Sequence, residues 1–188
     1  SNQEKTMSTT TWNFDTTHSS IGFSVRHMVF AKVRGRFSTW RGTVQLDPDD
    51  LTRSKIEVEI DASSIDTGVE DRDKHLRSAD FFDIERFDSL RFESSKIEEL
   101  STNRYRVVGK LTIRDVEREV VLDTEYGGHA KDPWGNRRVA FTASTRLDRR
   151  DFGLTWNQVL EAGGVLVGER IDIELDVQAV QAADSKAA

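Results

Sequence analysis

The sequence predicts an all-β protein, an up-and-down antiparallel barrel of about eight strands with a short helical insertion. Apolar and polar residues alternate with a period of two along most of the 188 residues, as in strands that bury one face. The links between these segments are short and rich in turn residues, which favours antiparallel neighbours. Closure into a barrel removes both edges of the sheet. A sandwich of two sheets is the alternative.

The composition is that of one soluble domain, because 36% of the residues are hydrophobic and 32% are charged. The net charge of −6 argues against a nucleic-acid partner, since phosphate contacts need a concentrated basic patch. The chain has no cysteine. A disulfide framework, a thiolate nucleophile and a sulfur-ligated metal are therefore excluded.

The two ends of the chain are expected to lie outside the fold. We predict a disordered segment or expression scar over residues 1–10, the barrel domain over 11–181 and a disordered tail over 182–188. No signal peptide and no apolar run long enough for a membrane span is visible. We therefore expect a cytoplasmic protein as written, or a periplasmic or secreted one if the N-terminus was processed. A homodimer is left open.

The first clear strand contains Ile21, Phe23 and Val25 on one face, and His27 continues that face. The next segment, residues 32–46, is interpreted as a second strand in which Gly35 and Gly42 form bulges or bends. Further strands are predicted over residues 56–60, 90–96, 105–113, 119–126, 139–147 and 167–180.

One helix is predicted among these strands, over the stretch Asp71–Phe87. Thr67 and Glu70 have the spacing of a capping box. Oppositely charged residues four apart would stabilise the solvated face, namely the pairs Glu70/Lys74 and Asp73/Arg77.

An apolar cluster closes this segment, formed by Phe81, Phe82, Ile84 and Phe87. It either covers a β-core or forms a gate over an apolar ligand cavity. Because Phe81 and Phe82 are adjacent, we expect them to point in different directions, one into the barrel wall and one towards the ligand.

Several segments, in order, resemble the YceI-like family of lipocalin-like polyisoprenoid-binding proteins. The resemblance spans Trp12 to about Val180 and rests on these residues: Trp12, Asp15, His18-Ser19, Ile21, Phe23, Val25 and His27, then Gly35, Phe37, Gly42 and Val44, the run DKHLRSADFFD over 73–83, GKLTI over 109–113 and RDFGLTWN over 150–157. Asp88 stands where relatives often have a proline, and the exported location of many relatives is not matched by a visible signal here.

The resemblance implies an eight-stranded barrel around an elongated apolar pocket that holds a polyprenyl chain or a similar amphiphile. A bound isoprenoid lipid or fatty amphiphile is then the expected partner, and no other cofactor is expected. The residues predicted to contact it are Phe23, Val25, His27, Phe37, Phe81, Phe82, Phe92, Phe141, Trp156 and Asn157.

No catalytic or metal centre is predicted. The four histidines lack the spacing of a zinc site, and Ser19 has no partners for a nucleophilic triad. Arg149 and Arg150 either form an ion-pair network with Asp151 or meet an anionic head group. The leading hypothesis is a protein that binds, carries or sequesters a long-chain isoprenoid, such as a quinone or polyprenyl phosphate. The alternatives are an enzyme acting on an isoprenoid diphosphate and a broad-specificity scavenger of apolar compounds in stress response.

Overall fold

The computed structural model describes residues 9–161 and 163–183. It contains one α-helix within these residues, α1 (Glu70–Arg77). The strands, in chain order, are β1 (Thr10–Phe14), β2 (Ser20–His27), β3 (Ala31–Phe37), β4 (Trp40–Leu46), β5 (Lys55–Asp61), β6 (Ile65–Asp66), β7 (Ser89–Ser101), β8 (Arg104–Ile113), β9 (Val116–Lys131), β10 (Arg137–Asp148) and β11 (Val167–Gln181).

Eight of these strands form a closed antiparallel ring in the order β1-β4-β5-β7-β8-β9-β10-β11, which the pairing of β11 with β1 completes. The other three, β2, β3 and β6, extend from the first half of β11, where Ile173 faces Phe23. The predicted barrel of about eight antiparallel strands with one helical insertion is thus confirmed.

Residues 32–46 form two strands and not the single strand that the sequence predicted. The interruption falls at Ser38 and Thr39, where the Ser38 N–H donates to the Ser64 carbonyl at 3.2 Å. The break lets β3 pair with β2 and β6, while β4 pairs with β1 and β5.

Neither Gly35 nor Gly42 forms a bulge, so the first of the two predicted alternatives was wrong. The pairing register of β2 with β3 and of β4 with β5 runs through both glycines without a shift. Each glycine instead leaves room for a phenylalanine ring, from Phe23 at Gly35 and from Phe14 at Gly42. An irregularity does occur between β9 and β10, beside Ala140 and Phe141.

The helix is shorter than predicted and is not capped as predicted. Its last turn is closed at Ser78, whose N–H and hydroxyl both donate to the His75 carbonyl. At the other end, Thr67 donates to the Asp73 carboxylate instead of forming a capping box with Glu70.

The predicted ion pair of Asp73 with Arg77 does not form, because Arg77 donates to the Ser63 carbonyl at 3.0 Å. Within the described residues, no ion pair joins Glu70 to Lys74 either. The polar contacts of α1 join it to the chain on both sides, since Arg77 donates to Ser63 and His75 lies 2.9 Å from Asp80.

Two buried clusters fill the barrel. One includes Ile65, Leu90 and Phe152, and Leu76 of α1 and Phe82 pack against it. The other is built around Trp12 and Ala179, where β1 closes the ring against β11. Within the described residues, no helix is both long and apolar enough to cross a membrane.

The predicted terminal segments fall almost entirely outside the described residues. β1 begins at Thr10 and β11 ends at Gln181, so the strands occupy nearly the range predicted for the barrel domain. The prediction of disorder for residues 1–8 and 184–188 concerns parts of the chain that the structure does not describe.

Candidate ligand-binding cavity

The barrel encloses a cavity of about 270 Å³. Side chains from the ring strands, from β2 and β3, from α1 and from the segment after α1 line it. Nearly all of them are apolar, and within the described residues the polar ones are Ser54, Tyr105, Thr124, Thr145 and Arg149. The chemistry of this wall is that of a site for hydrocarbon.

The lining of the cavity extends along much of the length of the barrel strands. Along β11 alone the wall runs from Val167 to Val177, in which Ile171, Ile173 and Leu175 alternate with outward residues. Ten residue steps at about 3.3 Å each correspond to about 33 Å of strand. The volume is nevertheless close to the lower end of the range of about 300–1,000 Å³ that is usual for small-molecule sites. A slender chain fits this shape better than a compact ligand.

Seven of the ten predicted contact residues line the cavity. They are Phe23, Val25, Phe37, Phe81, Phe82, Phe92 and Phe141. The period-two alternation of β2, β7 and β10 turns these side chains inward where they lie on strands. Their contact with a ligand stays a prediction.

His27, Trp156 and Asn157 are not among the lining residues. His27 ends β2 and is paired with Val167, at the end of the inward face that it was expected to continue. The Asn157 side chain forms two hydrogen bonds with the backbone of Val167. It donates to the carbonyl at 2.7 Å and accepts from the N–H at 3.0 Å.

Trp156 packs against the segment that covers one end of the cavity. Its ring centroid lies 4.5 Å from that of His75 and 5.5 Å from that of Phe81. This aromatic cluster of His75, Phe81 and Trp156 fastens α1 and the turns after it to the chain that precedes β11.

Phe81 and Phe82 both line the cavity, so the expectation that only one of them would do so was wrong. The expectation assumed regular structure, but residues 79–82 and 84–86 form turns, and Asp83 between them has a φ of 51°. Phe81 is the more deeply buried, with 5% of its surface exposed, while Phe82 is half-buried and meets Phe37 edge-on at 5.8 Å.

Arg149 is the one charged residue of the lining within the described chain, and it is 5% exposed. Its guanidinium donates to four backbone carbonyls, those of Leu154, Trp156, Val167 and Gly168, at 2.7–3.3 Å. Burial lowers the pKa of Arg149. Arg149 therefore holds two segments of the chain together beside the cavity, residues 154–156 and residues 167–168.

Arg150 does not share these contacts and forms ion pairs with Asp148 at 2.7 Å and Glu169 at 3.1 Å. Asp151, the predicted partner of the two arginines, is exposed. The predicted ion-pair network therefore involves Asp148 and Glu169 instead. It lies on the surface, where such pairs contribute little.

Tyr105 is a lining residue that the sequence analysis did not single out. It lies on the same face of β8 as Val107, so alternation alone could have identified it. Its pKa is raised by burial first, then by the negative charges of Glu99 and Asp50. The phenol is thus a neutral hydrogen-bond donor in a mostly apolar wall.

Within residues 9–161 and 163–183, no group of three His, Cys, Asp or Glu side chains is placed to hold a metal ion. The acidic residues near the cavity lie on the outward faces of its strands, as Asp172 and Glu174 do on β11.

Comparison with known proteins agrees with this architecture. A model of the YceI-like domain matches residues 12–179. The chain belongs to the YceI-like family. A UPF0312 protein of Staphylococcus epidermidis is 40% identical over 172 residues, which cover 90% of this chain and 96% of that protein.

Two solved structures extend the comparison. The YCEI protein of Campylobacter jejuni is 27% identical, with a TM-score of 0.73 over 84% of this chain and 90% of that one. A structure described as a polyisoprenoid binding domain from Saccharophagus degradans has a TM-score of 0.70 at 12% identity, over 93% of this chain and all of the other. At that identity the likeness concerns the fold alone.

Proposed function

We propose that this YceI-like protein binds a long-chain isoprenoid or a similar amphiphilic lipid inside its barrel, and so carries or sequesters it. The observation that carries the proposal is the almost wholly apolar cavity of about 270 Å³, whose lining extends along the barrel strands. The polyisoprenoid-binding description of the structural neighbour from Saccharophagus degradans supports it.

The driving force would be burial of hydrocarbon. Each methylene removed from water contributes about 0.8 kcal/mol, and association costs about 4–15 kcal/mol. Several isoprene units are therefore enough for tight binding. The few polar groups of the wall, such as Tyr105 and Thr124, would orient a head group and add little affinity.

The rival proposal is an enzyme that acts on an isoprenoid diphosphate. Such an enzyme needs an acid/base pair or a metal beside the reacting phosphate. Arg149 is the charged residue nearest to that requirement, and its guanidinium is already bonded to carbonyl groups. The structure therefore favours binding over turnover.

Native mass spectrometry of protein purified without detergent tests the proposal. We expect a co-purifying mass that matches an isoprenoid lipid and that leaves the protein chemically unchanged. A heterogeneous set of unrelated apolar compounds would support the scavenger hypothesis instead. Release of a dephosphorylated product from an added polyprenyl diphosphate would overturn the binding-only account.

A further inference from the structure

An exposed apolar surface lies at one end of the barrel. The turn between β2 and β3 presents Met28, Val29 and Phe30 to solvent, and Phe30 is 92% exposed. The chain before β11 presents Val159, which is 80% exposed, and Val165. We call these five residues the apolar rim. Exposed clusters of this kind mark interaction surfaces.

The two parts of the apolar rim form one surface. The Met28 N–H donates to the Leu166 carbonyl at 2.8 Å. Val29 faces Gly164, since a Cβ placed on that glycine would lie 3.5 Å from the Val29 Cγ2. Val159 and Val165 pair with each other in an isolated antiparallel β-bridge. The rim is therefore contiguous across both loops.

A basic surface adjoins the apolar rim although the whole chain is acidic. No Asp or Glu occurs between Asp15 and Asp47, whereas that stretch holds these basic residues: Arg26, Lys32, Arg34, Arg36 and Arg41. Three of them, Arg26, Lys32 and Arg34, are exposed on the outward face of β2 and β3 next to the turn, and we call them the basic strip.

The basic strip is not neutralised by nearby acids. Within the described residues, no carboxylate lies within ion-pair distance of its three side chains, whereas Arg36, farther from the turn, pairs with Asp66 at 3.6 Å. Glu161 is the one acidic residue between Leu154 and Gly168. On β11, the strand that adjoins β2, Glu169 and Asp172 are paired with Arg150 and Arg146. Positive charge therefore predominates beside the rim.

We propose that the apolar rim and the basic strip dock this protein onto an anionic lipid surface. Apolar side chains that enter the interface, flanked by cations that meet lipid phosphates, form the combination that binds such surfaces. The inference holds whichever ligand the cavity takes. The apolar rim also lies near one end of the cavity, because the lining residues Val25 and Val167 are close to His27 and the rim. Docking would bring this end of the cavity to the bilayer.

Sedimentation with vesicles tests the proposal. Full-length protein is mixed at physiological ionic strength with vesicles of phosphatidylcholine alone, or of equal parts phosphatidylcholine and phosphatidylglycerol. We expect binding to the mixed vesicles, weaker binding to the neutral ones, and loss of binding at high salt. Phe30→Ser should weaken binding about tenfold, because one aromatic ring no longer leaves water. Arg26→Ser with Lys32→Ser should weaken it about twenty-five-fold, at about fivefold for each cation.

Trp134→Ser is the matched control. Trp134 is 81% exposed at the opposite end of the barrel, in the turn between β9 and β10, where it also has basic neighbours in Lys131 and Arg137. We expect this variant to bind vesicles as the wild type does. All three variants should unfold at the wild-type temperature, since each changes exposed side chains.

Three results would overturn the proposal. The first is no binding of the wild type to the anionic vesicles. The second is a loss in Trp134→Ser that equals the loss in Phe30→Ser, which would place the contact elsewhere. The third is a wild-type dimer that Phe30→Ser converts to a monomer while vesicle binding stays absent, which would make the rim an interface between copies of this chain.

Discussion

The ring of Phe23 lies directly over Gly35 on the neighbouring strand. A Cβ on Gly35 would come within 2.3 Å of the Phe23 Cζ, closer than any real contact allows. The same relationship holds between Phe92 and Gly109, where the nearest ring atom would be 2.5 Å away. Both phenylalanines line the cavity, so these glycines set how far the rings withdraw from its centre.

Alanine at either glycine should therefore push a ring into the cavity and destabilise the barrel, by about 1–3 kcal/mol as for other overpacked sites. The larger loss is expected for Gly109→Ala, because its methyl group would also meet the Glu93 carbonyl oxygen at 2.6 Å, and backbone cannot swing aside. Chemical denaturation measures both. Gly22→Ala is the control, since its Cβ would make only ordinary contacts from 3.6 Å. Equal stability of all three variants would refute this role of the glycines.

The second prediction concerns Arg149. Arg149→Met should destabilise the protein by several kcal/mol, because a buried carbonyl left without a donor costs about 1–3 kcal/mol. Arg150→Met, which removes a surface ion pair next to it, should cost no more than about 1 kcal/mol. Denaturant midpoints for the two variants decide the question. Coincident midpoints would show that the four carbonyl contacts do not hold the chain around the cavity.

The third prediction is that alanine substitutions at Phe81 and Phe82 have different effects, the first mainly on stability and the second mainly on release of the lipid. Phe81→Ala should cost about 3–5 kcal/mol, because this buried ring packs on His75 and Trp156. Phe82 is half-buried on the cavity wall, so Phe82→Ala should cost less and should speed release of a bound lipid.

Unfolding free energies and lipid off-rates of these two variants are the measurements. Phe87→Ala is the control, because that ring lies under the guanidinium groups of Arg86 and Arg114 and does not line the cavity. If the lipid off-rate is unchanged in all three variants, the segment after α1 has only a structural role and does not act as a gate for the ligand.

The fourth prediction concerns acid. The Arg138 guanidinium, 2.7 Å from the Asp15 carboxylate, lowers the pKa of Asp15 to about 2, and His18 and the Thr17 N–H act in the same direction. Because the folded pKa lies below the unfolded value of about 3.9, this contact stabilises the fold fully above about pH 4. The stabilisation is lost as the pH falls towards 2.

Arg138→Met should raise the pKa of Asp15 towards its ordinary value and flatten the pH dependence of unfolding between about pH 4 and 2. Carboxyl chemical shifts followed by NMR give the pKa directly. Arg150→Met should leave Asp15 unchanged, since Arg150 contacts Asp148 instead. An Asp15 that still titrates near 2 in Arg138→Met would contradict this assignment.

Much of the barrel could be predicted because strand alternation is a local property. Phe23, Val25, Phe92 and Phe141 turn inward as the period of two requires, and all four line the cavity. What alternation cannot supply is the partner of a residue. The roles of Gly35 and Asn157 depend on which strand lies beside each of them, and that depends on how the ring closes.

Partners distant in sequence also explain the other differences. Trp156 packs against His75, about eighty positions away in the chain, and does not line the cavity. The split of residues 32–46 into two strands follows from the bond between Ser38 and Ser64. The helix ends early because the Ser78 hydroxyl donates to the His75 carbonyl, a contact that charge spacing does not predict.

The central claim is that the cavity holds the lipid, and one pair of variants tests it most directly. Ala143 lines the cavity, while Thr142, its neighbour on β10, is exposed. Delipidated Ala143→Phe and Thr142→Phe would each be titrated with a polyprenyl phosphate, after circular dichroism has shown that both are folded. We predict that Ala143→Phe binds at least about tenfold more weakly than the wild type, because the ring fills space that the chain needs. Thr142→Phe should bind as the wild type does. Equal affinity in both variants would contradict the claim.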